Sequence, residues 1–115
     1  MESETDRVDL TKVIVFTFLG ALVVRAVYFL EHSVTAAFAV PMLDQLYYHL
    51  FAQEIVEGGN LRRFGGFRPV LYPLFVSFFY WIGGGAGTVL TIMAQHILGA
   101  LTAVMSAVLA WFLSQ

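Results

Sequence analysis

The sequence predicts an all-α membrane protein with about three transmembrane helices and an amphipathic surface helix in the first loop. Of its 115 residues, 59% are hydrophobic and 12% are charged, whereas soluble domains average roughly 45–50% apolar and about 25% charged residues. The charges are also segregated, because the 47 residues from Pro69 onward contain no Asp, Glu, Lys or Arg. This distribution excludes a soluble domain, a disordered chain and a nucleic-acid-binding protein, which needs many basic residues.

The first membrane span is predicted at residues 13–30, after a polar N-terminal head at residues 1–12. A helix over these 18 residues is about 27 Å long, which is close to the ~30 Å thickness of the hydrocarbon core. Arg25 is the one charge inside this block. Its long side chain allows it to snorkel to the interface, although a charge inside a span is also a functional candidate. The acidic head argues against a cleaved signal peptide, despite the small-x-small residues at 37–39.

The extramembrane loop at 31–69 is predicted to contain one helix at 44–57. Pro41 precedes its start and Gly58 supplies its stop. On a helical wheel the apolar and polar side chains separate, with Leu46, Tyr47, Leu50, Phe51 and Ile55 on one side and Gln45, His49 and Gln53 on the other. This separation indicates an amphipathic helix at the membrane surface, with His49 facing the interface and Glu54 a solvated charge at the edge of the apolar side.

Residues 70–87 and 88–113 are predicted to form the second and third spans. The apolar part of the second is short, so the span must include the glycines at 83–87 or thin the bilayer. The third carries small and polar residues at steps of three or four, namely Thr91, Gln95, Gly99, Thr102 and Ser106. Such a stripe is typical of closely packed membrane helices, and His96 beside it is interpreted as an interhelical hydrogen-bonding residue.

The segment from Pro41 to Phe79 contains an ordered set of features. Asp44 follows the first span, and then come Tyr47-Tyr48, a short helix ending in Ile-x-x-Gly, a loop, and Arg68-Pro-Val-Leu-Tyr-Pro at the start of the next span. This order resembles the N-terminal region of GT-C-type polytopic membrane glycosyltransferases, of the protein O-mannosyltransferase and aminoarabinose-transferase type. The sequence departs from that pattern at Gln45, where many members have a second acidic residue, and at Val70, which is often Pro.

The resemblance implies transfer of a sugar from a polyprenyl-phosphate-linked donor. It makes Asp44 the catalytic carboxylate, acting as a general base or as a ligand of a divalent metal, which is a candidate cofactor. From the residues alone Asp44 is also a candidate N-cap of the helix at 44–57.

The resemblance further implies that the loop at 31–69 lies on the non-cytoplasmic side of the plasma (inner) membrane. The count of basic residues, three in the loop against two in the head, weakly favours the opposite orientation.

Five further residues are candidates for binding the substrate, namely Arg62, Arg63, Arg68, Tyr47 and Tyr48. Arg presents a planar fork of donors to the phosphate of a lipid-linked donor. The alternative is that the arginines anchor the loop on anionic lipid headgroups and that the tyrosines are interfacial aromatics.

Two functions remain open from the sequence. Typical GT-C members have many more spans and a soluble portion, so the chain looks truncated. We expect it to be inactive alone and to need the remaining helices of a longer chain or a partner membrane protein. The alternative is a small three-span accessory or scaffold protein that acts in the lipid bilayer by helix packing, through the stripe on the third span.

Overall fold

The structure, a computed structural model, describes residues 9–64, 66 and 68–114, and it contains no strand in these residues. Its helices are α1 (Leu10–Ser33), α2 (Ala36–Ala39), α3 (Asp44–Glu57), α4 (Leu71–Gly83) and α5 (Gly87–Leu113). Short 3-10 turns lie at Leu61–Phe64 and Gly84–Ala86. The predicted all-α class is therefore confirmed for the described part of the chain. These residues form two compact units, 9–30 with 95–114, and 31–94.

Two helical stretches are long and apolar enough to cross a membrane, the 24-residue α1 and the run Leu71–Leu113. In the most apolar 18 residues of each stretch, the share of residues buried inside the protein is 0% for α1 and 6% for Leu71–Leu113. A hydrophobic helix in the core of a soluble protein would be largely covered by its neighbours. The uncovered apolar surfaces of these two helices are therefore compatible with insertion into a membrane.

The start of α1 is set by Asp9. Its Oδ1 accepts a hydrogen bond of 2.9 Å from the backbone N–H of Thr11, which satisfies one of the unpaired amides at the helix start. The helix consequently begins at Leu10, three residues before the predicted span. Residues 1–8 of the predicted polar head lie outside the described residues.

The run Leu71–Leu113 is not one straight helix, because the chain turns back at Gly84. This residue has φ 49° and ψ −122°, a conformation open to glycine but strained for other residues. Beyond the turn, a Cβ added to Gly87 would lie 2.7 Å from Cα of Tyr80, whereas residues seven apart in a straight helix are about 10 Å apart along the axis. The predicted second span at 70–87 thus ends as a helix at Gly83, and α4 is about 20 Å long.

The helix α3 has the predicted bounds and packs against α4. It ends at Gly58, whose φ of 68° and ψ of 29° are left-handed and favour glycine as the helix stop. The side chains buried in this unit include Phe51, Ala52, Pro73, Val76 and Ser77, which come from these two helices.

The predicted separation of polar and apolar sides on α3 is not clear in the structure. Leu46 and Leu50, both on the predicted apolar side, are 42% and 41% exposed. His49, on the predicted polar side, is half-buried and bonds to α4. His49 is therefore part of the packing between α3 and α4, because that packing selects side chains by shape and hydrogen bonding as well as by polarity. Its position at the membrane interface stays a prediction.

Candidate functional site

The candidate site is centred on an ion pair between the first residue of α3 and the residue before Pro69. The Nη1 of Arg68 donates a hydrogen bond of 2.6 Å to the Oδ1 of Asp44. The two residues are 24 positions apart, and the packing of α3 on α4 brings them together. The side chains are 72% exposed for Asp44 and 34% exposed for Arg68, so a ligand can reach both from outside.

The ion pair has a clear electrostatic effect on the guanidinium. The hydrogen bond to Asp44 is the main cause that raises the pKa of Arg68 above its ordinary value, and Tyr48 adds a smaller increase. Arg68 therefore keeps its charge under all ordinary conditions. Because exposed ion pairs contribute little to stability, the main consequence of this pair is to orient the two side chains.

Asp44 is not the N-cap of α3, so that alternative is wrong. Leu43 occupies the cap position, with φ 53° and ψ −124°, and Asp44 is the first helical residue. Its carboxylate still lies at the positive end of the helix dipole, which favours a negative charge there. The side chain of Asp44 is therefore available for pairing with Arg68 and for contact with a ligand.

Three tyrosines complete what we call the Asp44 cluster, defined as Asp44, Arg68, Tyr47, Tyr48 and Tyr72. The guanidinium carbon of Arg68 lies 4.8 Å from the ring centroid of Tyr47, within the range of a cation–π contact. The ring of Tyr48 meets that of Tyr72 on α4 edge-to-face, with centroids 4.9 Å apart. Tyr72 was not among the residues nominated from the sequence, although it is part of the Arg-Pro-x-Leu-Tyr-Pro segment.

The other two arginines of the loop lie away from this cluster. Arg63 forms an ion pair with Glu54, ten residues and hence about 15 Å further along α3 than Asp44. The side chain of Glu54 is 17% exposed, so its predicted role as a solvated charge is wrong. Arg62 is exposed, and its backbone N–H donates to Oδ1 of Asn60 at 3.0 Å. The structure thus brings Arg68, but neither Arg62 nor Arg63, to Asp44.

The loop that carries the arginines is attached to α3 by aromatic contacts. Phe64 stacks on Phe51 with centroids 4.5 Å apart and rings nearly parallel. The hydroxyl of Tyr47 donates a 2.7 Å hydrogen bond to the carbonyl oxygen of Phe64. Tyr47 therefore contacts both the loop and Arg68, and it couples the position of the loop to the cluster.

A second polar contact joins α3 to the C-terminal end of α4. The Nδ1 of His49 and the hydroxyl of Tyr80 are 2.5 Å apart, and the hydroxyl of Thr88 donates to the same Tyr80 oxygen at 3.3 Å. No local sequence pattern indicates the contact between His49 and Tyr80, because the two residues are 31 positions apart. It strengthens the packing that positions the Asp44 cluster.

The described residues do not form a metal site by themselves. They contain no group of three or more His, Cys, Asp or Glu side chains that could hold a metal ion. Asp44, the predicted metal ligand, has Arg68 as its partner, and a guanidinium repels a cation. The donor set in this part of the chain therefore does not fit a divalent metal.

No protein family, curated protein or solved structure matches the chain.

Proposed function

We propose that this chain is the N-terminal part of a membrane glycosyltransferase that takes its sugar from a polyprenyl-phosphate-linked donor. The observation that carries the proposal is the 2.6 Å contact between Asp44 and Arg68. These are the acidic and basic positions at which the sequence resembles GT-C enzymes. Their exposed pairing next to the start of an apolar helix supports a shared role at the membrane surface.

In this proposal Asp44 is the general base toward the hydroxyl of the acceptor. Its bond to Arg68 uses Oδ1, which leaves the second carboxylate oxygen for the proton of that hydroxyl. General-base catalysis typically contributes about 10²–10⁴-fold to the rate. Arg68 orients the carboxylate of Asp44 through this bond, so no other described residue is needed for that role.

Arg68 in turn binds the phosphate of the lipid-linked donor, which is the leaving group. A guanidinium offers five N–H donors in a planar fork, so one bond to Asp44 leaves others for phosphate oxygens. As the bond to the sugar breaks, negative charge grows on the phosphate, and Arg68 stabilises it.

The proposed topology has three membrane spans, α1, α4 and α5, with the cluster at the non-cytoplasmic surface of the plasma (inner) membrane. The turn at Gly84–Ala86 supports separate spans for α4 and α5. The helix α4 is about 20 Å long, shorter than the ~30 Å hydrocarbon core, so the bilayer thins around it. We place α3 at the surface, where its packing on α4 holds Asp44 near the donor phosphate.

Binding of a long-chain polyprenyl phosphate tests the proposed role of Arg68. The purified chain is placed in neutral-lipid nanodiscs, and the lipid phosphate is titrated against the parent, Arg68→Gln and Arg62→Gln. We expect Arg68→Gln to weaken binding by about tenfold, because a charge-assisted hydrogen bond is lost. Arg62→Gln is the matched control and should change it little. Equal losses in both variants would indicate general attraction to anionic lipids and would contradict the proposal.

Sugar transfer tests the proposed role of Asp44. In a complete enzyme containing this segment, Asp44→Asn should lower the rate by about 10²–10⁴-fold, while membrane insertion and polyprenyl phosphate binding persist. Asn keeps the shape of the side chain but removes the proton acceptor. Near-full transfer by the Asn variant would refute a catalytic Asp44.

The alternative function is that of a small accessory or scaffold protein, and one observation on α5 favours it. The hydroxyls of Thr102 and Ser106 donate to carbonyl oxygens of their own helix at 2.9 and 3.0 Å, and both residues are exposed. Their polar groups are thus satisfied, and the small side chains allow another helix to approach closely. If Thr102→Leu abolishes association of the chain in membranes and Asp44→Asn has no effect on any transfer reaction, the scaffold function is favoured.

A further inference from the structure

The charged residue inside α1 contacts α5 at a glycine. Arg25 lies within the apolar block at 13–30, and its guanidinium lies so close to Gly99 that a Cβ at that position would overlap it. The backbone of α5 therefore leaves a space that the guanidinium occupies. Arg25 is half-buried there, five residues and hence about 8 Å inside the end of the apolar block at Leu30.

One turn away on α5, the ring of His96 lies among aromatic side chains. Its ring centroid is 6.1 Å from that of Tyr28 and 5.9 Å from that of Phe29, both edge-to-face. The Nε2 of His96 is buried and has no hydrogen-bond partner among the described residues. Arg25 and His96 thus lie in adjacent layers of the same compact unit, about one helical turn apart.

Arg25 has no acceptor in the part of the chain that the structure describes. It makes no ion pair or side-chain hydrogen bond there, and an isolated guanidinium at membrane depth is strongly unfavourable. Buried polar groups in native proteins are nearly always paired. An acceptor from outside this unit would therefore satisfy the guanidinium.

A second copy of the chain cannot supply a carboxylate at this depth. The predicted spans at 13–30, 70–87 and 88–113 contain no Asp or Glu. The acidic residues nearest to the spans lie at their ends or in the loop. The acceptor must therefore come from a segment other than these three spans.

We infer that Arg25, in its space beside Gly99, forms a docking site for an Asp or Glu side chain carried by another membrane helix. The planar fork of the guanidinium matches the two oxygens of a carboxylate. The docking site differs from the Asp44 cluster, and the inference does not depend on glycosyl transfer. It identifies where another membrane helix joins this chain.

The inference is tested with a synthetic leucine-rich transmembrane peptide that carries one Glu at the depth of Arg25. The full chain and the peptide are reconstituted in phosphatidylcholine vesicles, and their association is measured by energy transfer between attached fluorophores. Peptides with Gln or Leu in place of Glu are the controls. We expect the Glu peptide to bind about tenfold more tightly than the Leu peptide, with the Gln peptide in between.

Two variants of the chain remove the proposed contact in different ways. Arg25→Leu removes the charge and makes α1 more apolar, so insertion is retained, and it should abolish the preference for Glu. Gly99→Val keeps Arg25 but fills its space, and it should reduce the same preference. Gly20→Val is the matched control, because no atom lies within 4 Å of a Cβ added at Gly20.

Two results would overturn the inference. The first is an unchanged preference for the Glu peptide in Arg25→Leu. The second is complete loss of peptide binding when phosphatidylglycerol is added to the vesicles, which would identify a lipid phosphate as the occupant of the site. Carbonate extraction and circular dichroism of each variant show that insertion and helix content are retained, so that a loss of binding reports on the docking site.

Discussion

Substitution of Gly84 by Ala tests the turn that separates α4 from α5. Its φ of 49° and ψ of −122° are strained for a residue with a Cβ, at a cost of about 1–3 kcal/mol. Loss of backbone freedom in the unfolded chain offsets about 0.4–1 kcal/mol of this cost. We therefore expect Gly84→Ala to lower the free energy of unfolding by about 1–2 kcal/mol.

Gly85 supplies the matched control for this substitution. A Cβ added at Gly85 meets no atom within 4 Å, and its φ is not positive. Ala at this position should therefore raise the free energy of unfolding by about 0.5 kcal/mol. The two adjacent substitutions are thus expected to have opposite signs, with a difference of about 2 kcal/mol.

The assay is reversible unfolding of the purified chain in mixed detergent micelles, followed by circular dichroism. If the run Leu71–Leu113 were one continuous helix, both glycines would lie in its interior. Ala would then stabilise the protein by roughly 0.5–1 kcal/mol at either position. Stabilisation by both substitutions would therefore refute the turn, and with it separate spans for α4 and α5.

Three further predictions follow from the same region of the structure. Leu43→Gly should stabilise the chain by about 1 kcal/mol in the same unfolding assay, because it relieves a positive φ. The control Leu46→Gly, inside α3, should destabilise it by about 1 kcal/mol. If both substitutions changed the free energy of unfolding in the same direction, the strain at Leu43 would be contradicted. Tyr80→Phe should cost about 1 kcal/mol. It should cost less when His49 is already replaced by Phe, because only the 3.3 Å bond from Thr88 is then lost, and a full cost in both backgrounds would exclude the bond between Tyr80 and His49. A topology reporter fused at Gly59 should lie on the opposite side of the membrane from one fused at the N-terminus, and a shared side would rule out a single crossing by α1.

Several features of the fold could be predicted from the sequence because they depend on neighbouring residues. The helix at Asp44–Glu57 has its predicted bounds, since Pro41 precedes it and Gly58 can adopt the left-handed conformation that ends it. The apolar runs predicted helices long enough for a membrane, since a largely apolar helix of about 18 residues has few other stable environments. Hydropathy and glycine position are properties of short segments, so they can be read without the tertiary structure.

The candidate site was only partly predictable. The type and order of the residues nominated Asp44 and three arginines, but they did not show which arginine pairs with Asp44. Only the packing of α3 on α4 decided that Arg68 meets Asp44 while Arg63 meets Glu54.

By itself, the sequence determined that this protein is helical and rich in lipid-compatible surface, and it located the ends of α3. The tertiary structure decided that His49 contacts Tyr80 and that the chain turns back at Gly84. It also decided that Arg25 lies against Gly99. The physical reason is that secondary structure follows from interactions within a few residues, whereas these contacts join different helices. Such contacts depend on which surfaces pack together, and that is a property of the whole chain.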